Sequence, residues 1–354
     1  MLAARLVEHR ATAASTRVRT MAAAIITGPR RLRLEMVPVP GVAASQVRVR
    51  VAGCVVSPLD TPAWRGTRGW RYPLMPGEPG VEAWGVAEAV GHDVKHIAEG
   101  DRVAMVTRQG FAELAVSEAD QVVRIEAGSE GRRSKGEVVA ATTLGRAMNV
   151  WRRAGGDAGL GRGERVAVLG MGMVGLAVVQ LAAGAGADVV AVSRRQQGLR
   201  WAKQCGATEA IQCDRLAGTE ATLSELTRGR GFTRVIEASG AGGLTRLAGR
   251  IVSRGGRLVL AGGSAGAAEQ ERDGTAEVWQ RADVELVSGR IRDPRSAIRG
   301  MHEALHAIAD GRLRPDELQT QRFTLPGLGK AMEIGGGERC GPVRTWVAPC
   351  TDVP

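Results

Sequence analysis

The chain changes its hydrophobic period near its middle. From Met21 to about Gly145, short apolar stretches of strand length follow one another with turn residues between them: Ala22 to Ile26, Leu32 to Val37, Gln46 to Gly53, Val81 to Val90, Arg102 to Thr107 and Phe111 to Val116. The stretch QVRVRVAG from Gln46 alternates strictly between polar and apolar residues, the period of a strand with one wet face. This half predicts a small, mostly antiparallel β domain.

A helical pattern starts near Val138, runs through AATTLGRAMNVWRR, and stops at Gly155, Gly156 and Gly159. Strands predicted near positions 166, 188, 209, 234 and 257 then alternate with helices near 174, 196, 219 and 244, and a sixth strand follows at Val284 to Ser288. Parallel strands joined by helical crossovers predict an α/β, doubly wound sheet. Beyond Arg290 the pattern gives a helix at Ser296 to Ala309, a strand near Arg322 to Leu325, a short helix near Gly329 to Ile334 and a strand at Val343 to Ala348. This tail is expected to return to the β domain and to leave a cleft between domains. The division is 21–145 for the β domain, 146–290 for the doubly wound domain and 291–354 for the return. Residues 1–20 read as an extension, either a disordered arm or the product of a start codon placed too far upstream.

One stretch carries chemistry. Gly170, Gly172 and Gly175 stand in the spacing G-x-G-x-x-G between the strand Val166–Leu169 and the helix Val174–Ala185, with a second strand at Asp188–Val192. In that setting the first glycine makes the turn, the second admits a pyrophosphate, and the third lets the helix pack on the strand, so that phosphate sits at the helix N-terminus. The stretch predicts a dinucleotide site of the Rossmann type. An acidic residue at the end of the second strand would bind the ribose 2′-OH of NAD, but that place holds Ser193, followed by Arg194 and Arg195. A hydroxyl and two guanidinium groups suit a 2′-phosphate, so NADPH is expected over NADH. The alternative is a solvated pair of surface arginines.

Composition narrows the partners. At 354 residues, 44% of them hydrophobic, the chain can build two cores, and Gly or charge breaks its apolar stretches before a membrane span is reached. The net charge is +11, of which Arg5, Arg10, Arg17 and Arg19 against Glu8 give +3, and the remaining arginines are scattered. Aromatic residues make up 3%, too few for stacking on single strands, so a solvated basic surface is expected rather than a nucleic-acid face. Five cysteines at 54, 205, 213, 340 and 350, widely spaced and without C-x-x-C, suit reduced thiols in the cytoplasm.

GDRV at Gly100–Val103, PG-x-E-x-WG at Pro79–Gly85, VIEASG at Val235–Gly240 and GGRLVLAGG at Gly255–Gly263, in this order of domains, resemble the medium-chain dehydrogenase/reductase superfamily, from about Ala22 to Pro349. Within it the chain is most similar to the zinc-dependent alcohol dehydrogenase-like branch. The resemblance implies a GroES-like β domain, a six-stranded Rossmann sheet, a small-molecule substrate and a homodimer. It also implies cofactor contacts at Met173 and Val174, at Ala238 and Ser239, at Gly262 and Gly263, and at Ile291.

The family's catalytic zinc positions correspond here to Ser57, Val81 and Thr142, with only Glu82 of that neighbourhood kept, and Arg108–Gly110 stand where a four-cysteine lobe belongs. A neutral serine, a valine and a threonine are poor zinc donors, so no zinc is expected. The family's zinc-free members reduce activated C=C bonds, and hydride transfer from NADPH to such a bond or to a carbonyl is the expected reaction. Ser57 and Arg146 are candidates to stabilise the charge on oxygen, Arg146 being equally suited to a salt bridge at the domain junction. Asp60 and Tyr72, the only tyrosine, are candidate proton donors, and Asp60 also suits the capping of a turn. Glu82 is a candidate partner of Arg146. Trp64, Trp70 and Tyr72 are expected in the substrate pocket. Two further readings stay open: a metal-free alcohol or carbonyl dehydrogenase, and a cofactor-binding scaffold without catalysis. His302, Glu303 and His306 spell the H-E-x-x-H of zinc proteases, but on a helix whose apolar face is Ile298, Met301, Leu305 and Ile308 and with no third ligand to be found, so an exposed helix face is expected.

Overall fold

The computed structural model describes residues 18–57, 59–67, 69–125, 135–156, 159–161, 163–262, 283–291, 293–315, 320–335 and 344–350. The elements, in order, are β1 (Thr20–Gly28), β2 (Arg31–Pro38), β3 (Gln46–Val55), α1 (Thr61–Arg65), β4 (Glu82–Val90), β5 (Arg102–Val106), β6 (Leu114–Glu118), β7 (Val122–Arg124) and α2 (Lys135–Arg153). Then come β8 (Arg165–Leu169), α3 (Met173–Gly184), β9 (Asp188–Ser193), α4 (Gln196–Gln204), β10 (Glu209–Gln212), α5 (Leu216–Leu226), β11 (Phe232–Glu237), α6 (Gly242–Ile251), β12 (Val252–Leu260) and β13 (Glu285–Ser288). The chain closes with α7 (Pro294–Ala309), β14 (Thr320–Thr324), α8 (Leu328–Gly335) and β15 (Arg344–Ala348).

β3 shows why the first half folds as it does. Val47, Val49 and Val51 are fully buried, whereas Arg50 is exposed and Gln46 and Arg48 are half-buried, so one face of the strand meets the core and the other meets water. β3 pairs antiparallel with β4, β6 and β15 in a seven-stranded sheet of order β14-β15-β3-β4-β5-β7, with β6 set beside β3. The return of the tail is thus a backbone ladder, with Trp346 opposite Val55 and Val347 opposite Cys54. β1 and β2 form a separate hairpin that starts slightly earlier than the hydrophobic pattern suggests: Thr20 already pairs with Pro38, and Val39 N–H donates to Arg19 O. Residues 1–17 of the expected extension lie outside the described residues.

The second half is a six-stranded parallel sheet of order β10-β9-β8-β11-β12-β13. This is the order of a dinucleotide-binding fold, with the crossover reversing between β8 and β11. β8 and β9 are buried almost throughout, as strands covered on both faces by helices must be.

α2 and α7 join the two halves. Leu144, Ala147 and Met148 of α2 share one apolar cluster with Val166 and Val168 of β8 and with Met171 and Met173. Ile298, Met301 and Leu305 of α7 pack with Val55, Trp84 and Trp346 of the β domain, while Ala304, Ala307 and Ile308 face the other cluster. The helices approach closely because a Cβ at Gly145 would stand 2.8 Å from Met301 N and one at Gly300 2.4 Å from Gly145 O. Asn149 Nδ2 donates to Gly145 O and Ser296 O, both at 3.0 Å, and Asp293 caps α7 by accepting from Arg295 N and Ser296 N, also at 3.0 Å.

Candidate active site

The G-x-G-x-x-G stretch forms the predicted turn, and each glycine has its own reason. Gly170 has φ +99°, and a Cβ there would stand 2.7 Å from Ser239 N. A Cβ on Gly175 would meet Gly170 O at 1.9 Å, so only a hydrogen lets α3 start against β8. Gly172 differs: its φ of −87° suits any residue, and a Cβ there would meet nothing within 4 Å. It is the N-cap of α3 and no side chain caps it. An uncapped helix N-terminus facing open space leaves its first N–H groups available to an anion. Met173 is buried against the core and Val174 is half-buried.

At the end of β9 the Ser193 hydroxyl is buried and accepts the Arg195 N–H at 3.1 Å, while Arg194 and Arg195 are exposed. Ser193 therefore shapes the turn that presents the two arginines. At the end of β11, Ala238 N–H donates to Leu169 O at 2.8 Å, fixing the two strand ends side by side. Ser239 is exposed, and Ile291, beyond β13, is half-buried. Gly262 is held against this turn: a Cβ there would stand 2.0 Å from Gly240 N and 2.6 Å from Glu237 Oε2. Gly263 lies outside the described residues.

Glu237 lies inside the VIEASG motif but was not among the site residues expected from it. Almost fully buried, its carboxylate accepts from Ser239 N at 2.7 Å, from Gly240 N at 3.0 Å and from the Ser239 hydroxyl. Burial pushes its pKa up, against the pull of those donors. The signal for it was present in FTRVIE, where an acid follows the apolar pair Val235 and Ile236 at the end of the strand. It ties down the Ser239–Gly240 turn that follows β11.

On the β-domain side, Ser57 and Asp60 are sealed from solvent. Asp60 Oδ2 accepts the Ser57 N–H at 2.6 Å, and Ser57 Oγ accepts the Leu59 N–H at 3.1 Å. Asp60 thus closes the turn that feeds α1, while its Oδ1 has no hydrogen-bond partner among the described residues. Burial pushes the Asp60 pKa up to about 7, with the Glu82 charge adding to the rise and the Ser57 donors opposing it. The same two carboxyls stand near Cys54, whose thiol is raised well above its usual value, first by burial and then by Asp60 and Glu82.

Glu82, at the start of β4, is buried, and its Oε2 accepts the Thr143 hydroxyl at 2.7 Å. The pairing expected with Arg146 is not formed: Arg146 is half-buried, and no hydrogen bond or ion pair joins it to Glu82 among the described residues. One turn of α2 separates Thr143 from Arg146. Thr142 lies in α2, but its side chain is outside the described residues. Tyr72 is half-buried and its hydroxyl donates to Ala63 O, an anchoring bond for α1, while burial raises its pKa. Trp64 likewise is core: it is buried, with Nε1 donating to Glu333 at 2.7 Å, and Trp70 packs on the same core. These aromatic residues build the wall of the β domain.

Val81 offers no donor atom to a metal, and among the described residues no group of three His, Cys, Asp or Glu side chains is placed to hold one. Among the described residues no helix is long and apolar enough to cross a membrane.

Two family models match the chain: an alcohol dehydrogenase GroES-like domain over residues 43–196 and a zinc-binding dehydrogenase over residues 173–289. A quinone oxidoreductase of Mus musculus is 30% identical over 247 residues, 66% of this chain and 70% of that protein. Among solved structures, a dehydrogenase from Escherichia coli CFT073 in complex with NADH superposes with a TM-score of 0.75 at 22% identity, covering 93% of this chain and 99% of the other. A zinc-binding dehydrogenase from Sinorhizobium meliloti 1021 bound to NADP gives a TM-score of 0.74 at 20% identity, over 94% of this chain and 100% of the other.

Proposed function

The chain belongs to the medium-chain dehydrogenase/reductase superfamily, and we propose that within it the protein is a zinc-independent reductase that uses NADPH to reduce an activated C=C bond or a carbonyl of a small organic substrate. That it is an oxidoreductase follows from the family and the relatives, and a nicotinamide cofactor is supported by the family and by neighbours that hold NADH or NADP. The observation that carries the finer reading is a pairing within one fold. An open space before the α3 N-terminus at Gly172 comes with a buried polar cluster of Ser57, Asp60 and Glu82, and the resemblance puts Ser57, Val81 and Thr142 where the family's zinc ligands stand.

Gly170, Gly172 and Gly175 with the α3 N-terminus would hold the pyrophosphate, and Arg194 and Arg195 a 2′-phosphate. The bound cofactor supplies the hydride. Negative charge then develops on the substrate oxygen, where the Arg146 guanidinium, half-buried and not tied to Glu82, offers hydrogen bonds in a water-poor setting. Ser57 and Asp60 form the proton-holding part of the site, because a carboxyl that keeps its proton up to about pH 7 can resupply a neighbouring hydroxyl. Glu82 and Thr143 position α2 and with it Arg146. Tyr72 is an anchor in this scheme, its hydroxyl being engaged by Ala63 O. We place the protein in the cytoplasm, on the reduced thiols at Cys54 and Cys213, and expect a homodimer, with β13 at the edge of the parallel sheet.

The test is NADPH oxidation by purified protein of measured zinc content against a panel of quinones, enones and aldehydes, repeated after treatment with chelator. Turnover of an enone or quinone by zinc-free protein supports the reading. Turnover that appears only with stoichiometric zinc overturns it, and absence of turnover with every acceptor favours the scaffold reading.

A further inference from the structure

The H-E-x-x-H stretch has an outcome of its own. His302 and His306 lie one turn apart on the exposed side of α7, and the glutamate between them turns elsewhere, with Glu303 taking Arg152 and Arg299. The two imidazoles line a cavity of about 610 Å³ that none of the cofactor-turn residues lines. Its other polar walls are Lys95 and His96, from the segment before β5, and Arg124 at the end of β7, with Leu305 as its floor. Five basic side chains from three parts of the chain therefore face one space, and no carboxylate stands among the described lining residues. The chain has only four lysines and five histidines, so one lysine and three histidines in this one place is a concentration that the overall basic charge does not produce.

We infer that this cavity binds a small phosphate-bearing anion, gripped by Arg124, Lys95, His302 and His306. A metal is a poor fit, since among the described residues no three ligands are placed for one. A multivalent anion is a good fit, because basic groups gathered around one space repel one another when charged and a dianion relieves that repulsion. The group types match phosphate: a planar guanidinium for paired hydrogen bonds, an ammonium as a point charge, and imidazoles whose ring N–H groups donate. The local contacts fix the frame and leave donors over. His96 Nε2 meets Ala119 O at 3.0 Å, and Lys95 Nζ spends one bond on His92 O at 2.8 Å. Of the nearby acids, Asp93 pairs with His92, and Asp310 pairs with Arg312 while also feeling the His306 imidazole. The volume exceeds that of one phosphate, so the ligand carries an organic body or a second phosphate, within the size range of small-molecule pockets. Such a ligand would bridge the β domain and α7, the helix that packs on both halves.

The experiment is isothermal titration of the full chain with pyrophosphate and with inorganic phosphate, at ionic strength held constant with sodium chloride. The same titrations are run on Arg124→Gln/His306→Gln and on Gly172→Leu, and circular dichroism confirms that each variant is folded. The expected result is saturable 1:1 binding of pyrophosphate with Kd below about 1 mM, weakened at least about ten-fold in the Arg124/His306 variant and retained in the Gly172 variant. Absence of saturable binding overturns the inference. So does binding that survives the Arg124/His306 change and disappears with Gly172→Leu, which would assign the phosphate to the cofactor turn.

Discussion

Thr143 on α2 donates its hydroxyl to Glu82 at the start of β4, 2.7 Å away and across 61 residues of chain. The bond fastens the helix that packs beside the cofactor turn to the strand that carries the buried carboxylate. Removing the hydroxyl in Thr143→Val strips a buried carboxylate of a donor, which costs about 1.5–3 kcal/mol. Urea unfolding should show that loss, and Thr143→Ser should recover most of it. An unchanged midpoint in Thr143→Val would mean that the bond carries no stability.

Gly172 and Gly175 should respond in opposite ways to the same added methyl. At Gly172 a Cβ meets nothing within 4 Å, so Gly172→Ala should fold normally yet weaken nucleotide binding by about ten-fold or more, by crowding the phosphate. At Gly175 a Cβ would lie 1.9 Å from Gly170 O, so Gly175→Ala should lower stability by several kcal/mol, about the cost of overpacking a tight core. Thermal melts paired with nucleotide titrations separate the two. Equal effects in both measurements would contradict the distinction.

Arg194 and Arg195 are exposed beside a serine that is already engaged by the Arg195 N–H. Their joint replacement by alanine should cost NADPH affinity about 10–100-fold, the worth of one or two charge-assisted hydrogen bonds, while leaving NADH affinity within about two-fold. Equal losses for both nucleotides would make them general contributors of charge.

Asp60 should make stability depend on pH. Its folded pKa of about 7 lies above the ordinary carboxylate value of 3.8, so folding takes up a proton between these limits. Stability therefore falls as pH rises through that window, and the loss is complete above about pH 7. In Asp60→Asn, which keeps an acceptor for the Ser57 N–H, this component should vanish. The difference in Tm between pH 5 and pH 8 should be smaller in the variant than in the wild type. The same slope in both would place the titration elsewhere.

The alternation in QVRVRV and the apolar blocks around Gly170 were enough to foresee strand alternation, the parallel sheet and the glycine turn, because each depends on local period and on residues without side chains. Short elements escaped: α1 and β7 span five and three residues, too few to display a period. The site was less legible. Tyr72 and Trp64 looked like pocket residues by type, but their polar atoms are used to tie α1 and α8 to the β domain. Glu82 was foreseen as a charge partner for Arg146, yet it is met by the neutral Thr143, since helical phase and the depth of β4 set which side chain arrives. Glu237 lay inside a motif and was passed over, because burial of an acid is decided by strands distant in sequence.

The most direct measurement is a titration of one zinc-assayed sample with NADPH and with NADH, followed by nicotinamide fluorescence. The account predicts saturable NADPH binding at least about ten-fold tighter than NADH, as expected if a 2′-phosphate gains one charge-assisted bond, with zinc far below one equivalent. Stoichiometric zinc, or an equal or stronger preference for NADH, would contradict it.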